Sequence, residues 1–187
     1  MAGNIHRAEF REFWTKVVKP DLWTLRVLAE GLKLSFQDDA WPAPYQEKKN
    51  KSAQENMPFV RQQVATWSER KVLKRVEKKP RCVSPLTGAA RQVQGDLKNR
   101  LCWDGSRHIN LLLRKAPVKL SSLEKALDIL LPGDYQATYD LSSAYHHIAI
   151  HPDYQDLLGI AVPDETTGED VYYVFTCMPF GLRSRRE

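Results

Sequence analysis

The sequence is poor in cysteine, has no long apolar run and shows neither an internal repeat nor a low-complexity segment. Its three cysteines, Cys82, Cys102 and Cys177, are odd in number, widely spaced and without a C-x-x-C pair, so neither a disulfide framework nor a zinc site is indicated. Reduced, structural thiols are expected. No stretch approaches the roughly 20 apolar residues that cross a bilayer as a helix. The opening "MAGNIHRAEFREFW" alternates charge with apolar residues where a signal peptide would carry an apolar core. The expectation is an intracellular protein of cytoplasm or nucleus, with no membrane partner. What is present argues for a folded chain: 42% hydrophobic residues and five Trp exclude wholesale disorder. A length of 187 residues can bury a real core in one domain or slightly more.

The net charge of +5 is modest, but it is unevenly spread. Residues 1–47 are near neutral, residues 48–115 carry 17 Lys and Arg against 5 Asp and Glu, and residues 116–187 carry 5 against 11. A basic middle beside an acidic end suits a phosphate-binding surface next to a site that collects cations, although a charge run also suits a plain solvated helix face.

Periodicity predicts a helix over 5–18 and a second that opens at Pro20 and Asp21 and stops near Gly31. Residues 37–56 mix prolines, amides and lysines without apolar periodicity and read as a surface connection. From Pro58 to Lys79, Val60, Val64, Trp67, Val72, Leu73 and Val76 suit one helix exposing Lys71, Lys74, Arg75, Lys78 and Lys79, ending before Pro80. Two β-like runs, 81–86 and 100–104, flank a Gly-containing loop and read as a hairpin. In "SSLEKALDILLPGDY", Ser121 and Glu124 stand at capping-box spacing before an apolar stripe of Leu123, Leu127, Leu130 and Leu131. Three strands are expected after it, 136–140, 157–162 and 171–177, the last two joined as an antiparallel hairpin. Organisation is read as a helical arm over 1–47, a linker over 48–57 and a main domain over 58–187.

In "ATYDLSSAYHHIAI", Asp140 ends a β-like run, a small-residue turn follows, and Tyr145 stands five positions on. Alone, this is compatible with an ordinary strand end, because Asp beside Ser often turns a chain. The stretch belongs to "LLPGDYQATYDLSSAYHHIAIHPDYQDLLGIAV", and read in order with "KPRCVSPL" and "NRLCWDGSRHIN" before it and "VYYVFTCMPFGL" after it, this block resembles the fingers and early palm of a retroelement reverse transcriptase. The resemblance covers roughly residues 80–184, is nearest in flavour to DIRS-like retrotransposons with long-terminal-repeat elements second, and rests on the order and spacing of the blocks.

The resemblance implies an α+β fold, a partial right-hand polymerase with a helical N-terminal arm. It implies RNA-directed DNA polymerase activity in the intact enzyme, a nucleotidyltransferase acting on deoxynucleotides and an RNA or DNA template-primer. Such chemistry uses two divalent metals about 4 Å apart to activate a primer hydroxyl and clamp the triphosphate. By similarity Asp140 is the first catalytic, metal-holding carboxylate, for Mg2+ or Mn2+. Leu141 belongs to the backbone that holds the triphosphate, and Tyr145 lies under the incoming sugar and disfavours a 2′-hydroxyl. Arg100 matches a position that contacts the nucleotide's phosphates, with Lys98 a weaker candidate. Phe180 and Gly181 match a turn near the nascent base pair, though core packing also accounts for Phe180. The basic residues Lys71, Lys74, Arg75 and Lys78 are expected to contact nucleic acid.

The sequence also departs from the family. A Tyr-x-Asp-Asp hairpin carrying the remaining carboxylates is absent from these residues, and Arg185, Arg186 and Glu187 do not fit the pattern. A fragment inactive alone, holding no metal tightly, is expected, or one completed by palm and thumb from another segment; the alternative is a non-catalytic nucleic-acid-binding module of retrotransposon origin. "SFQDD", with Asp38 and Asp39, imitates the missing word but lies before Asp140 in a proline-rich context, and reads as an acidic turn. His146, His147 and His151 read as structural and not as a metal cluster, and Cys177 reads as core.

Overall fold

The structure, a computed structural model, describes residues 8–37, 41–93, 96–114, 122–131 and 133–183. Its architecture is α+β around one mixed five-stranded sheet. The second N-terminal helix follows its expected boundaries, and of the first, expected over 5–18, residues 5–7 lie outside the described residues. Ala8–Phe13 (α1) runs into a π-helical turn, and Leu22–Glu30 (α2) is capped by Asp21, whose carboxylate accepts from Thr24 N at 2.8 Å. Within 37–56, where the sequence reads as a surface connection, Tyr45–Gln46 forms an edge strand (β1) and Lys51–Gln54 a helical turn (α3) with Ala53 buried.

Met57–Glu69 (α4) presents Val60, Val64 and Trp67 at helical intervals to the core. The predicted continuation to Lys79 does not occur. Lys71 takes a positive φ of 59° and turns the chain, after which Leu73–Val76 forms a strand (β2). Tertiary pairing overrides helical spacing here, because the β-branched and apolar residues of this stretch gain a ladder and a buried face at once. Val72 and Leu73 are 2% and 3% exposed.

Cys82–Val83 (β3) joins the main sheet, and Leu86–Val93 (β4) pairs antiparallel with Asp96–Trp103 (β5) as a separate hairpin, from Leu86 opposite Trp103 to Val93 opposite Asp96. A hairpin is therefore present as expected, but its first strand begins where the predicted one ends. A short helix, Ile109–Leu112 (α5), follows.

The leucine-striped segment forms only Leu123–Leu127 (α6), and Ser121 of the expected capping box lies outside the described residues. Leu127, Leu130 and Leu131 are 58%, 38% and 70% exposed, so these three find no surface to bury against among the described residues. The strand expected over 136–140 is likewise not formed, and Tyr139 remains 91% exposed. A strand needs a neighbour to take its backbone groups, and this segment has none among the described residues.

After a 3-10 turn at Ala144–His147, Pro152–Gln155 (α7) leads into Gly159–Pro163 (β6) and Asp170–Phe175 (β7). These two pair antiparallel as the alternating pattern predicts, with Ile160 opposite Tyr173. Asp164 closes their turn by accepting from the backbone N–H groups of Thr166 and Thr167, and those bonds hold its carboxyl below its ordinary pKa. The sheet order is β1-β3-β6-β7-β2, with β1 and β3 parallel to their neighbours and β2 an antiparallel edge. Leu32, Leu34 and Phe36 enter the same core as Ile160 and Phe175. Among the described residues no helix is long and apolar enough to cross a membrane.

Candidate nucleotide-binding site

The turn at residues 178–182 is clamped from two sides. Phe180 O accepts from Trp103 N at 3.0 Å, tying the turn to the end of β5. Asn110 on α5 donates through Nδ2 to Gly181 O at 2.7 Å and accepts from Arg183 N at 2.8 Å. Gly181 has φ +105°, and a Cβ built there would lie 2.0 Å from Trp103 O. Only glycine fits both the backbone conformation and the close approach.

Tyr145 arrives at this turn by a different route. Ser143 adopts φ 54°, a left-handed corner that starts the 3-10 turn. The chain then leaves beside residues 176–178: Ile150 N donates to Thr176 O at 2.9 Å and Met178 N to Ile148 O at 2.8 Å. This short ladder sets Tyr145 against Phe180 edge-on, with ring centroids 5.0 Å apart. Both rings remain open to solvent, at 46% and 36% exposure.

His146 lies beneath them, edge-on to Phe180 at 5.3 Å and to Trp67 at 5.9 Å. Burial pushes its imidazole down to about 4, with the neighbouring His147 and Arg70 acting in the same direction. Its Nε2 has no hydrogen-bond partner among the described residues. The His146 ring is a packing element under the two aromatics. Cys177 is core, as expected, at 1% exposure.

Of the expected site residues, Tyr145, Phe180 and Gly181 are thus brought together. Asp140 and Leu141 precede them on an exposed segment outside any helix or strand, and Asp140 makes no hydrogen bond or ion pair among the described residues. Arg100 is exposed on β5, opposite Ala89 in register. Strand alternation puts it on the face away from the buried Leu101 and Trp103, so it is not brought to the aromatic pair. The side chain of Lys98 and both acids of "SFQDD" lie outside the described residues.

The basic residues occupy a turn and an edge strand, not the helix face expected of them. Lys71 sits level with Thr176, whose hydroxyl donates to its carbonyl at 2.6 Å, and Lys74 and Arg75 stand opposite Val174 and Tyr173. Lys78 follows in a bend, and all four are exposed. They form a basic border that starts beside the clamped turn and runs away along the sheet edge. Alternation on a strand sends Lys74 and Arg75 to opposite sides, so the border faces two ways.

Among the described residues no group of three His, Cys, Asp or Glu side chains could hold a metal ion. Asp140 alone offers a fraction of the roughly six oxygens that Mg2+ requires, so the donors present do not by themselves fit a metal pair. Another carboxylate with several partners, Asp104, is structural. Burial pushes it up, but hydrogen bonds from Ser106, Asn50 and Thr87 outweigh this and hold it below its ordinary range.

The sequence did not single out Asn110 or Trp103 as the clamp on the turn. Both lie in the block "NRLCWDGSRHIN", but nothing in their spacing announces that they meet residues 180–183. No family model matches the chain, and no curated protein matches it.

Proposed function

We propose that this chain is the fingers and early-palm portion of a retroelement reverse transcriptase, with the surface at Tyr145, Phe180 and Gly181 as the place where an incoming nucleotide meets the template. The supporting observation is that Tyr145 and Phe180, singled out by resemblance in two separate blocks of the sequence, meet at one open aromatic corner, with Gly181 next to Phe180 on the clamped turn. Tyr145 presents a half-exposed ring suited to lie under a sugar and to exclude a 2′-hydroxyl by bulk. Phe180, on a turn that cannot shift without breaking the clamp from Trp103 and Asn110, gives a fixed edge for a base pair.

In this reading Asp140 is one ligand of a Mg2+ or Mn2+ pair whose other carboxylates are not supplied by these residues. The 187-residue polypeptide therefore binds template-primer and nucleotide without extending the primer. The test is photocrosslinking with an azido-deoxynucleotide on a template-primer. Label is expected within 140–145 or 179–181, and Tyr145→Ala should let the matching ribonucleotide compete as well as the deoxynucleotide. Label confined to other segments would count against the site, and primer extension abolished by Asp140→Ala would overturn the claim of inactivity.

A second reading, a nucleic-acid-binding module without a nucleotide site, is favoured by the exposed border of Lys71, Lys74, Arg75 and Lys78. Binding to phosphates weakens steeply with salt through counterion release. The module alone predicts salt-sensitive binding of nucleic acid, lost on neutralising those four residues, with no crosslink to the azido-nucleotide.

A further inference from the structure

Away from the aromatic corner, α2 and the chain that follows it enclose a cleft of about 360 Å³. This lies at the lower end of the roughly 300–1,000 Å³ typical of small-ligand sites. Its lining includes Trp23, Arg26, Glu30, Lys33, Trp41 and Tyr154. No part of the reverse-transcriptase reading uses it.

The cleft is preformed. Its floor, residues 31–36, is fastened at one end by Leu32 N donating to Ala149 O at 2.7 Å and His151 N donating to Leu32 O at 3.0 Å. At the other end Gln37 N donates to Leu112 O at 2.9 Å. Gly31, with φ +91°, is pressed so close that a Cβ would lie 2.7 Å from His151 N. One wall is aromatic: Trp41 packs between Tyr154, with ring centroids at 5.0 Å, and Phe36, at 6.3 Å, yet stays 49% exposed. A half-open indole braced by two other rings is a stacking platform that need not reorganise to bind.

The helix supplies the polar side. Trp23, Arg26 and Glu30 follow one another at three- and four-residue intervals, the spacing of helical neighbours. Glu30 accepts from Lys33 Nζ through Oε2 at 2.7 Å. Lys33 is thereby matched by Glu30, and among the described residues Arg26 is the cation of the lining with no ion pair. A fully cationic ligand is disfavoured by Arg26 and Lys33, and a triphosphate by Glu30. A planar, neutral ring with N–H groups at its edge and a single phosphate near it fits both sides.

We propose that this cleft holds one unpaired nucleobase of a single-stranded nucleic acid, stacked on Trp41, with Glu30 accepting from the base's exocyclic amine and Arg26 beside its phosphate. Base stacking on aromatic rings is tolerant of sequence, and a carboxylate acceptor selects bases with an amino group, such as cytosine. The inference rests on the proposed function for the source of the base, namely a strand and not a free nucleotide.

The test measures binding of the full chain to two labelled single strands of equal charge, oligocytidylate and its abasic counterpart, with cytidine monophosphate as a third probe. The expected result is about tenfold tighter binding of oligocytidylate than of the abasic strand, within what stacking of one base contributes. Trp41→Ala should erase that difference while leaving the abasic affinity unchanged, and Trp41→Phe should keep most of it. Equal binding of both strands by the native chain overturns the cleft and leaves the nucleic-acid reading intact. Binding of the monophosphate alone, lost in Trp41→Ala, supports the base site and counts against the strand. Binding of none of the three overturns both.

Discussion

Residues 144–182 and residues 123–141 are both rich in apolar side chains, yet the first stretch is folded into the sheet and the second lies open. Ile150, Ile160 and Phe175 are 2%, 0% and 1% exposed, whereas Ile129, Leu131 and Leu141 are 78%, 70% and 72% exposed. Composition does not separate them. The difference is whether neighbours exist: β6 has β3 on one side and β7 on the other, while α6 has five residues and, among the described residues, packs against no other element. An isolated helix that short cannot hold itself, since nucleation costs more than a single turn returns. Burial follows from partners in space, and an amphipathic pattern states only that a partner is needed.

The largest effect that would sharpen this contrast comes from the clamped turn. Gly181→Val adds a left-handed strain and a collision with the Trp103 carbonyl, and should cost roughly 4 kcal/mol of stability, read by chemical denaturation. A loss under about 1 kcal/mol would show that the turn can move off β5. Next, Ile160→Ala removes a side chain with no exposure and should cost about 3 kcal/mol. The same substitution at Ile129, on the open segment, should fall within about 0.5 kcal/mol. Equal costs at the two positions would mean that residues 123–141 are packed in solution.

Acid provides a third probe of the folded half. His146 is held neutral in the fold, its pKa lowered from the ordinary 6.5 to about 4 chiefly by burial. The unfolded chain therefore binds the extra proton first. The stabilising contribution is full above about pH 6.5 and is lost as pH falls toward 4. His146→Phe, which keeps a ring between Trp67 and Phe180, should flatten the fall in thermal midpoint across that window; an unchanged slope would place the acid sensitivity in another group. The smallest expected effect on stability is that of Leu130→Asp with Leu131→Asp, which should leave the thermal midpoint nearly unchanged while reducing self-association measured by sedimentation. Exposed apolar stretches are association hazards, so no change in sedimentation would remove that role from the segment.

Much of the fold could be read from local pattern. Asp21 and Gly31 bracket α2 because capping and left-handed termination are local chemistry, and the Asp164 turn joins β6 to β7 because an Asx turn needs only its own residues. The β4–β5 hairpin was legible as a hairpin but not in register, since register depends on which face finds the core. Lys71 to Lys79 misled through the same ambiguity. Val72, Leu73 and Val76 satisfy helical spacing as well as a short strand, and only the free edge of β7 decides between them. At the candidate site, Tyr145, Phe180 and Gly181 were named by resemblance, while Asn110 and Trp103, which hold the turn, carry no local signal.

The sequence by itself determined the span of α2, the β6–β7 pairing, the core position of Cys177 and the concentration of positive charge in the middle of the chain. These rest on neighbours within a few residues or on counting. The tertiary structure alone decided that the basic run is a sheet edge, that Asn110 clamps residue 181, that the leucine stripe stays open and that Trp41 braces a cleft. Each of those depends on surfaces separated by many residues coming into contact, and the free energy of such contacts is absent from any local window.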